Sequence, residues 1–289
     1  MSIDKLADTF DTVGLQIGAS GSGSSSDCPA GALVAMSSRD QAFPSNADLA
    51  AAGRPKTLVF CTGFSDSREL WNARHGRWLR AIRSSRLAYD AILIVDDGSP
   101  VLPDWPGLTI WTDAEDHAGV DRLPELVFHH FSERLGRRSD WDFPGWYRSF
   151  VFAGRFAVSH GFEKLIHIES DAFLISQRVQ SYFNDFTDGW AALWCPRYDF
   201  AESALQVMAG NAVRHLAEFE KSHPQANLVH RTLEDQLPLD VINKAFKGDR
   251  YGEYLPFVPL DADYAGQIRA NMPESYYWWM VPAAPGKAS

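Results

Sequence analysis

Apolar residues are arranged in two alternating patterns from residue 57 to about residue 240: short uninterrupted runs, and longer stretches with helical period. The runs are Thr57-Leu58-Val59-Phe60-Cys61, Ala91-Ile92-Leu93-Ile94-Val95, Leu108-Thr109-Ile110-Trp111, Leu165-Ile166-His167-Ile168 and Gly189-Trp190-Ala191-Ala192-Leu193-Trp194-Cys195. Continuous apolar character suits strands covered on both faces. Between the first two runs, Trp71, His75, Trp78, Leu79 and Ile82 share one helical arc, with Arg74, Arg77, Arg80 and Arg83 on the rest. This predicts a helix over 67–85 whose Arg-rich face is read as solvated, with a phosphate or anionic-lipid patch as the alternative. A second helix is expected from Pro144, which suits a first turn, to just before Gly161, and others over 123–135 and 202–221. Strand, helix, strand in this order is the signature of an α/β fold with a mostly parallel central sheet flanked by helices. Such sheets place ligands beyond the carboxyl ends of their strands.

The flanks read differently. Ile3, Leu6, Ala7, Phe10, Val13 and Ile17 predict a short amphipathic helix over 1–17, and the Gly/Ser-rich run that follows opens a linker and irregular segment over 18–53. Residues 54–289 are expected to form a single domain that ends in the aromatic tail Tyr276-Tyr277-Trp278-Trp279, a docked plug or a stacking platform. The net charge of −10 argues against non-specific nucleic-acid binding, which needs a basic surface. Three scattered cysteines suit a reducing compartment, and no window approaches the roughly 18 apolar residues of a membrane span. A cytoplasmic protein follows as the expectation, with peripheral membrane contact still allowed.

Candidate chemistry gathers where the runs end. The second closes with Asp96-Asp97-Gly98-Ser99, and the fourth continues into Glu169-Ser170-Asp171. If 165–171 is extended, His167, Glu169 and Asp171 share a face, where two carboxylates can hold a hard divalent cation or stand as solvated acids at a strand end. A later acid pair, Glu234-Asp235, follows His230, and Tyr147-Arg148 lies in the aromatic helix that leads into the fourth run.

Taken in order, Val95-Asp96-Asp97-Gly98-Ser99, Tyr147-Arg148, Glu169-Ser170-Asp171 and Leu233-Glu234-Asp235 resemble the motifs of GT-A fold, nucleotide-sugar-dependent glycosyltransferases over about residues 57 to 240. The resemblance implies a GT-A-like, Rossmann-type sheet and transfer of a sugar from a UDP- or GDP-sugar to a glycan, lipid-linked or small-molecule acceptor. It also implies donor contacts from Thr62, Asp96, Asp97, Tyr147, Arg148 and Ser170, and Mn²⁺ or Mg²⁺ held by Glu169 and Asp171 with His230 as a third ligand. Glu169 stands where the motif has Asp, which keeps the carboxylate and lengthens its reach. Glu234 and Asp235 match the pair that supplies the base in inverting members; in a retaining enzyme they would bind sugar hydroxyls or cap a turn.

Other readings are a nucleotidyltransferase, disfavoured because Thr62-Gly63-Phe64-Ser65 carries no Lys or Arg, and a non-catalytic sugar- or nucleotide-binding module. Asp96-Asp97 also resembles the start of a receiver domain. The acids nearest the expected phosphoacceptor, Asp140 and Asp142, lie in a polar turn instead of at a strand end.

Overall fold

In a computed structural model of the chain, residues 53–113, 122–139, 142–223, 236–277 and 279–281 are described. The expected helix over 1–17 and nearly all of the 18–53 segment lie outside them, as do His230, Glu234 and Asp235. Among the described residues, eight strands form one sheet: β1 (Thr57–Gly63), β2 (Ala91–Asp96), β3 (Leu108–Thr112), β4 (Leu126–His130), β5 (Lys164–Ile168), β7 (Gly189–Cys195), β8 (Phe200–Ala209) and β9 (Val241–Asn243). Their order is β3-β4-β2-β1-β5-β8-β7-β9; pairing is parallel except where β8 runs against β5 and β7. The fold is therefore α/β with a mostly parallel central sheet.

The period of two along the strands sorts the core into layers. Leu58, Phe60, Leu93, Val95 and Leu165 face helices α3 (Pro144–Ser159) and α5 (Asn211–Ser222), where Phe150, Phe156, Leu216 and Phe219 pack. Val59, Cys61, Ile92, Ile94 and Ile166 face the other side, against Trp71, Trp78, Leu79 and Ile82, and Val179 and Phe183 of α4 (Gln177–Asp185). The helix expected over 67–85 is present in three pieces: α1 (Arg68–Trp71), capped by the Ser67 hydroxyl, a π-helical turn Asn72–Gly76, and α2 (Arg77–Ser84). A smaller sheet of β6 (Phe173–Leu174), β10 (Gly248–Asp249) and β11 (Tyr264–Ala265) carries the C-terminal segment.

Three sequence expectations are corrected. Residues 126–130 form strand β4, not part of a helix over 123–135; Leu126, Val127 and Phe128 are buried between β2 and β3, and tertiary burial of a β-prone run overrides helical spacing. Residues 200–209 are strand β8, and helix α5 begins only at Asn211, after Gly210 turns the chain at φ +60°. The extended run thought to include Asp171 ends at Ile168; the Ala172 amide donates to the Glu169 carbonyl at 2.8 Å, so Asp171 stands on a turn. In the aromatic tail, Tyr276 is buried and the Arg77 guanidinium lies 4.6 Å from the Tyr277 ring centre, so both are docked. No helix among the described residues is long and apolar enough to cross a membrane.

Candidate functional site

Because β1 lies between β2 and β5, the sheet brings their acidic ends together at one edge. Gly63 of β1 is level with Asp96 of β2, and Phe60 is level with His167 of β5. With strands about 4.8 Å apart, the two acidic ends stand about 10 Å from each other across β1. Helix α3 starts over this edge. From its first turns, Trp146 Nε1 donates to Glu169 Oε1 at 2.6 Å and Arg148 Nη2 donates to Asp97 Oδ1 at 2.5 Å, so one stretch of helix reaches both ends.

Glu169 is nearly saturated. Besides Trp146, its Oε1 accepts from the Thr62 hydroxyl at 2.8 Å and lies 2.9 Å from His167 Nε2. Burial alone would raise the carboxyl, but the His167 ring and the hydrogen bonds from His167, Thr62 and Trp146 outweigh it and hold Glu169 below its ordinary value. His167 is itself buried, with Nδ1 3.3 Å from the Gln206 amide. Asp171 differs: its partner is Arg74, whose Nη2 lies 3.2 Å from Oδ2. Burial pushes the Asp171 carboxyl up; the Arg74 charge opposes this and the nearby Glu169 adds to it. Ser170 between them is buried, and its hydroxyl has no partner among the described residues.

At the end of β2 both acids are held by the chain's own donors. Asp96 accepts from the Ser99 amide at 2.8 Å and from the Ser99 hydroxyl, and sits 2.8 Å from His130 Nδ1. Burial raises its carboxyl, against the hydrogen bonds from Ser99 and His130. Asp97 accepts from the Leu135 and Gly136 amides at 3.3 and 2.7 Å and from Arg148, which also donates to the Glu133 carbonyl. Tyr147 points elsewhere: its hydroxyl donates to the His223 carbonyl at the end of α5, and its ring faces Phe219. The structure therefore brings Thr62, Asp96, Asp97, Arg148, Glu169, Ser170 and Asp171 to one edge and leaves Tyr147 in the α3–α5 interface.

The opposite wall is the π-helical turn. His75 stacks on Trp71 and lies directly over Gly63, where an added Cβ would come within 2.2 Å of His75 Nε2. Burial, aided by Arg74, pushes the His75 imidazole down to about 3, so the ring is neutral. Arg74, on the same turn, is brought onto Asp171. On the β2 side, the Arg134 guanidinium stacks 3.6 Å from the centre of the Phe64 ring, just past the end of β1. In sequence, Trp146 and Arg134 carry no assigned chemical role, while His75 falls on the packed arc of its helix and Arg74 on the Arg-rich face. The π-helical turn departs from the period that assigned Arg74 to a solvated face, and Trp146 read as one more core aromatic.

A divalent cation of the kind implied by the sequence resemblance takes about six to eight oxygen ligands when it is Ca²⁺-like and near-octahedral geometry when it is Mg²⁺. The described carboxylates offer few oxygens toward that demand: Glu169 Oε1 takes three partners, its Oε2 accepts from the Thr62 hydroxyl at 3.1 Å, and Asp171 Oδ2 is on Arg74. Among the described residues, no three His, Cys, Asp or Glu side chains are grouped to hold a metal ion. A cavity of about 520 Å³ lined by Tyr89, Asp90, Arg122, Leu123, Pro124 and Glu125 opens near the amino ends of β2 and β4, at the other edge of the sheet.

No known protein family matches the chain, and neither does any curated protein. Among solved structures, the chain is similar to a glycosyltransferase involved in the glycosylation of the major capsid of PBCV-1, with a TM-score of 0.41 and 10% identity over 74% of this chain and 93% of that one.

Proposed function

We propose that the chain is a glycosyltransferase that takes a sugar from a nucleotide-diphosphate donor, a UDP- or GDP-sugar, and passes it to a hydroxyl of a glycan, lipid-linked or small-molecule acceptor. The observation that carries this reading is the reach of α3 to both acidic strand ends, Trp146 to Glu169 and Arg148 to Asp97, at the edge where a parallel sheet presents ligands. This arrangement joins in space three of the four segments that resemble the transferase motifs in sequence, those at 95–99, 147–148 and 169–171.

The chemistry assigns each group a task. The acceptor oxygen bonds to the anomeric carbon, the sugar–phosphate bond breaks with its electron pair leaving on the diphosphate, and the acceptor proton passes to a base. In an inverting enzyme Glu234 or Asp235 is the proposed base; in a retaining one the pair binds sugar hydroxyls and the departing diphosphate oxygen takes the acceptor proton. The departing diphosphate needs positive charge or hydrogen-bond donors aimed at its oxygens. Asp96 and Asp97, held by internal donors, shape the loops at 98–100 and 133–136 that frame the donor. Ser170, whose buried hydroxyl has no partner among the described residues, is the proposed polar contact on the β5 side.

A thermal-shift screen of the full chain with UDP, GDP, CMP and ADP, each with and without Mn²⁺, tests this. Ligand at about 100 times its Kd stabilises the native state by about 2.7 kcal/mol, so UDP or GDP is expected to raise Tm by several degrees. No shift with any nucleotide overturns the proposal.

A further inference from the structure

The weak fit to a metal points to another source of positive charge at the same edge. Arg74 has one hydrogen bond among the described residues, to Asp171, and the rest of its guanidinium fork is uncommitted; its side chain is 32% exposed. The neighbouring arginines are already committed. Arg77 is buried and donates to the Ile268 and Arg269 carbonyls, and Arg148 is spent on Asp97 and Glu133. Arg134 lies beyond β1 on the β2 side, stacked on Phe64, with no hydrogen bond among the described residues.

The position of Arg74 is built into the fold. The π-helical turn Asn72–Gly76 is wedged between Gly63 and Trp105: a Cβ on Gly63 would meet His75, and one on Gly76 would come within 2.7 Å of the Trp105 ring. Short π-helical segments inside helices often mark functional positions. Here the turn delivers a planar fork, with geometry suited to two phosphate oxygens at once, to the residue where the sequence motif expects a cation ligand.

Resting on the glycosyltransferase reading, we propose that Arg74, with Arg134 across the β1 exit, carries the charge of the donor's diphosphate, so that donor binding needs no divalent ion. Asp171 then acts as a positioning residue that holds the guanidinium towards the ligand. Glu169, locked by Thr62, Trp146 and His167, anchors the turn on which Asp171 stands.

The test is isothermal titration of UDP and of GDP into the full chain, in EDTA and separately in Mn²⁺ or Mg²⁺, for the wild type and for Arg74→Ala, Arg74→Lys, Arg134→Ala and Asp171→Asn, each checked for an unchanged melting transition. The expected results are wild-type affinity in EDTA within about threefold of that with metal, a loss of about 10- to 100-fold for Arg74→Ala, and partial rescue by Arg74→Lys, which keeps the charge but not the fork. A smaller loss is expected for Arg134→Ala and for Asp171→Asn. Binding that requires Mn²⁺ or Mg²⁺, or that is unaltered in Arg74→Ala, overturns this inference and leaves the transferase reading intact. No binding of either nucleotide under any condition overturns both.

Discussion

The two acidic strand ends at this edge look alike in sequence and differ in chemistry. At β2, Asp96 and Asp97 are enclosed by Ser99, His130, Leu135, Gly136 and Arg148, so both carboxylates tie loops to the sheet. At β5, Glu169 is enclosed in the same manner, but Asp171 stands one turn further on and meets a half-exposed arginine. Two similar acid pairs at neighbouring strand ends therefore differ in how many of the chain's own donors reach them, and that supply separates the enclosed carboxylates from Asp171, whose partner is Arg74.

The largest effect expected from this contrast is on stability at the β2 end. Asp97→Ala strands the Arg148 charge and two backbone amides in a largely buried place, and unpairing one member of a buried ion pair costs about 3–5 kcal/mol, to be read from urea unfolding. A cost below about 1 kcal/mol would make Asp97 an exposed contact instead of an anchor. Glu169→Gln comes next. It leaves the donors from Thr62, Trp146 and His167 with a neutral acceptor and is expected to cost about 1–3 kcal/mol, whereas Asp171→Asn should stay within about 1 kcal/mol, because its Arg74 pairing is partly solvated.

The pH dependence separates the same two residues. Glu169 titrates lower in the folded chain than its ordinary 4.5, so between those values the unfolded state binds more protons. Its stabilisation is present above about pH 4.5 and is lost as pH falls through the folded value. Melting curves from pH 6 to 3 should therefore fall less steeply in Glu169→Gln than in the wild type. Asp171, raised by burial above 3.8, has the opposite sign: protonating it relieves a cost, so Asp171→Asn should make the acid limb steeper. Equal slopes in all three proteins would remove the distinction between the carboxylates.

A similarly small effect belongs to Tyr147, which resembled a donor contact in sequence and sits between α3 and α5. Tyr147→Phe removes a hydroxyl that donates to the His223 carbonyl and is expected to cost about 1 kcal/mol without altering UDP or GDP affinity. A loss of nucleotide affinity would return Tyr147 to the donor site.

Much of the fold was legible because its strands are short apolar runs and its best helices carry their own stop signals. β1, β2, β5 and β7 appear where the runs lie, and α3 ends just before Gly161 as its sequence indicates. β4 was hidden because Leu123, Val127 and nearby residues also satisfy a helical spacing, and the strand neighbours of Val127, Leu93 and Thr109, are 34 and 18 residues away in the chain. At the candidate site, Asp96-Asp97 and Glu169-Ser170-Asp171, both marked in the sequence, come to one edge of the sheet. The sequence could not show that Trp146 would cap Glu169 or that Arg74 would turn inward, because both depend on contacts between distant segments. The π-helical turn that aims Arg74 has no signature in the period of its apolar residues.

The location of the nucleotide site is open to direct measurement by hydrogen–deuterium exchange of the full chain with and without saturating UDP or GDP. The expected result is slowed exchange in peptides covering 62–76, 96–99, 133–137 and 169–173, with no change at 89–90 and 122–125. Protection confined to the cavity at 89–90 and 122–125, with the acidic strand ends unchanged, would contradict the placement of the donor at the carboxyl edge of β2, β1 and β5.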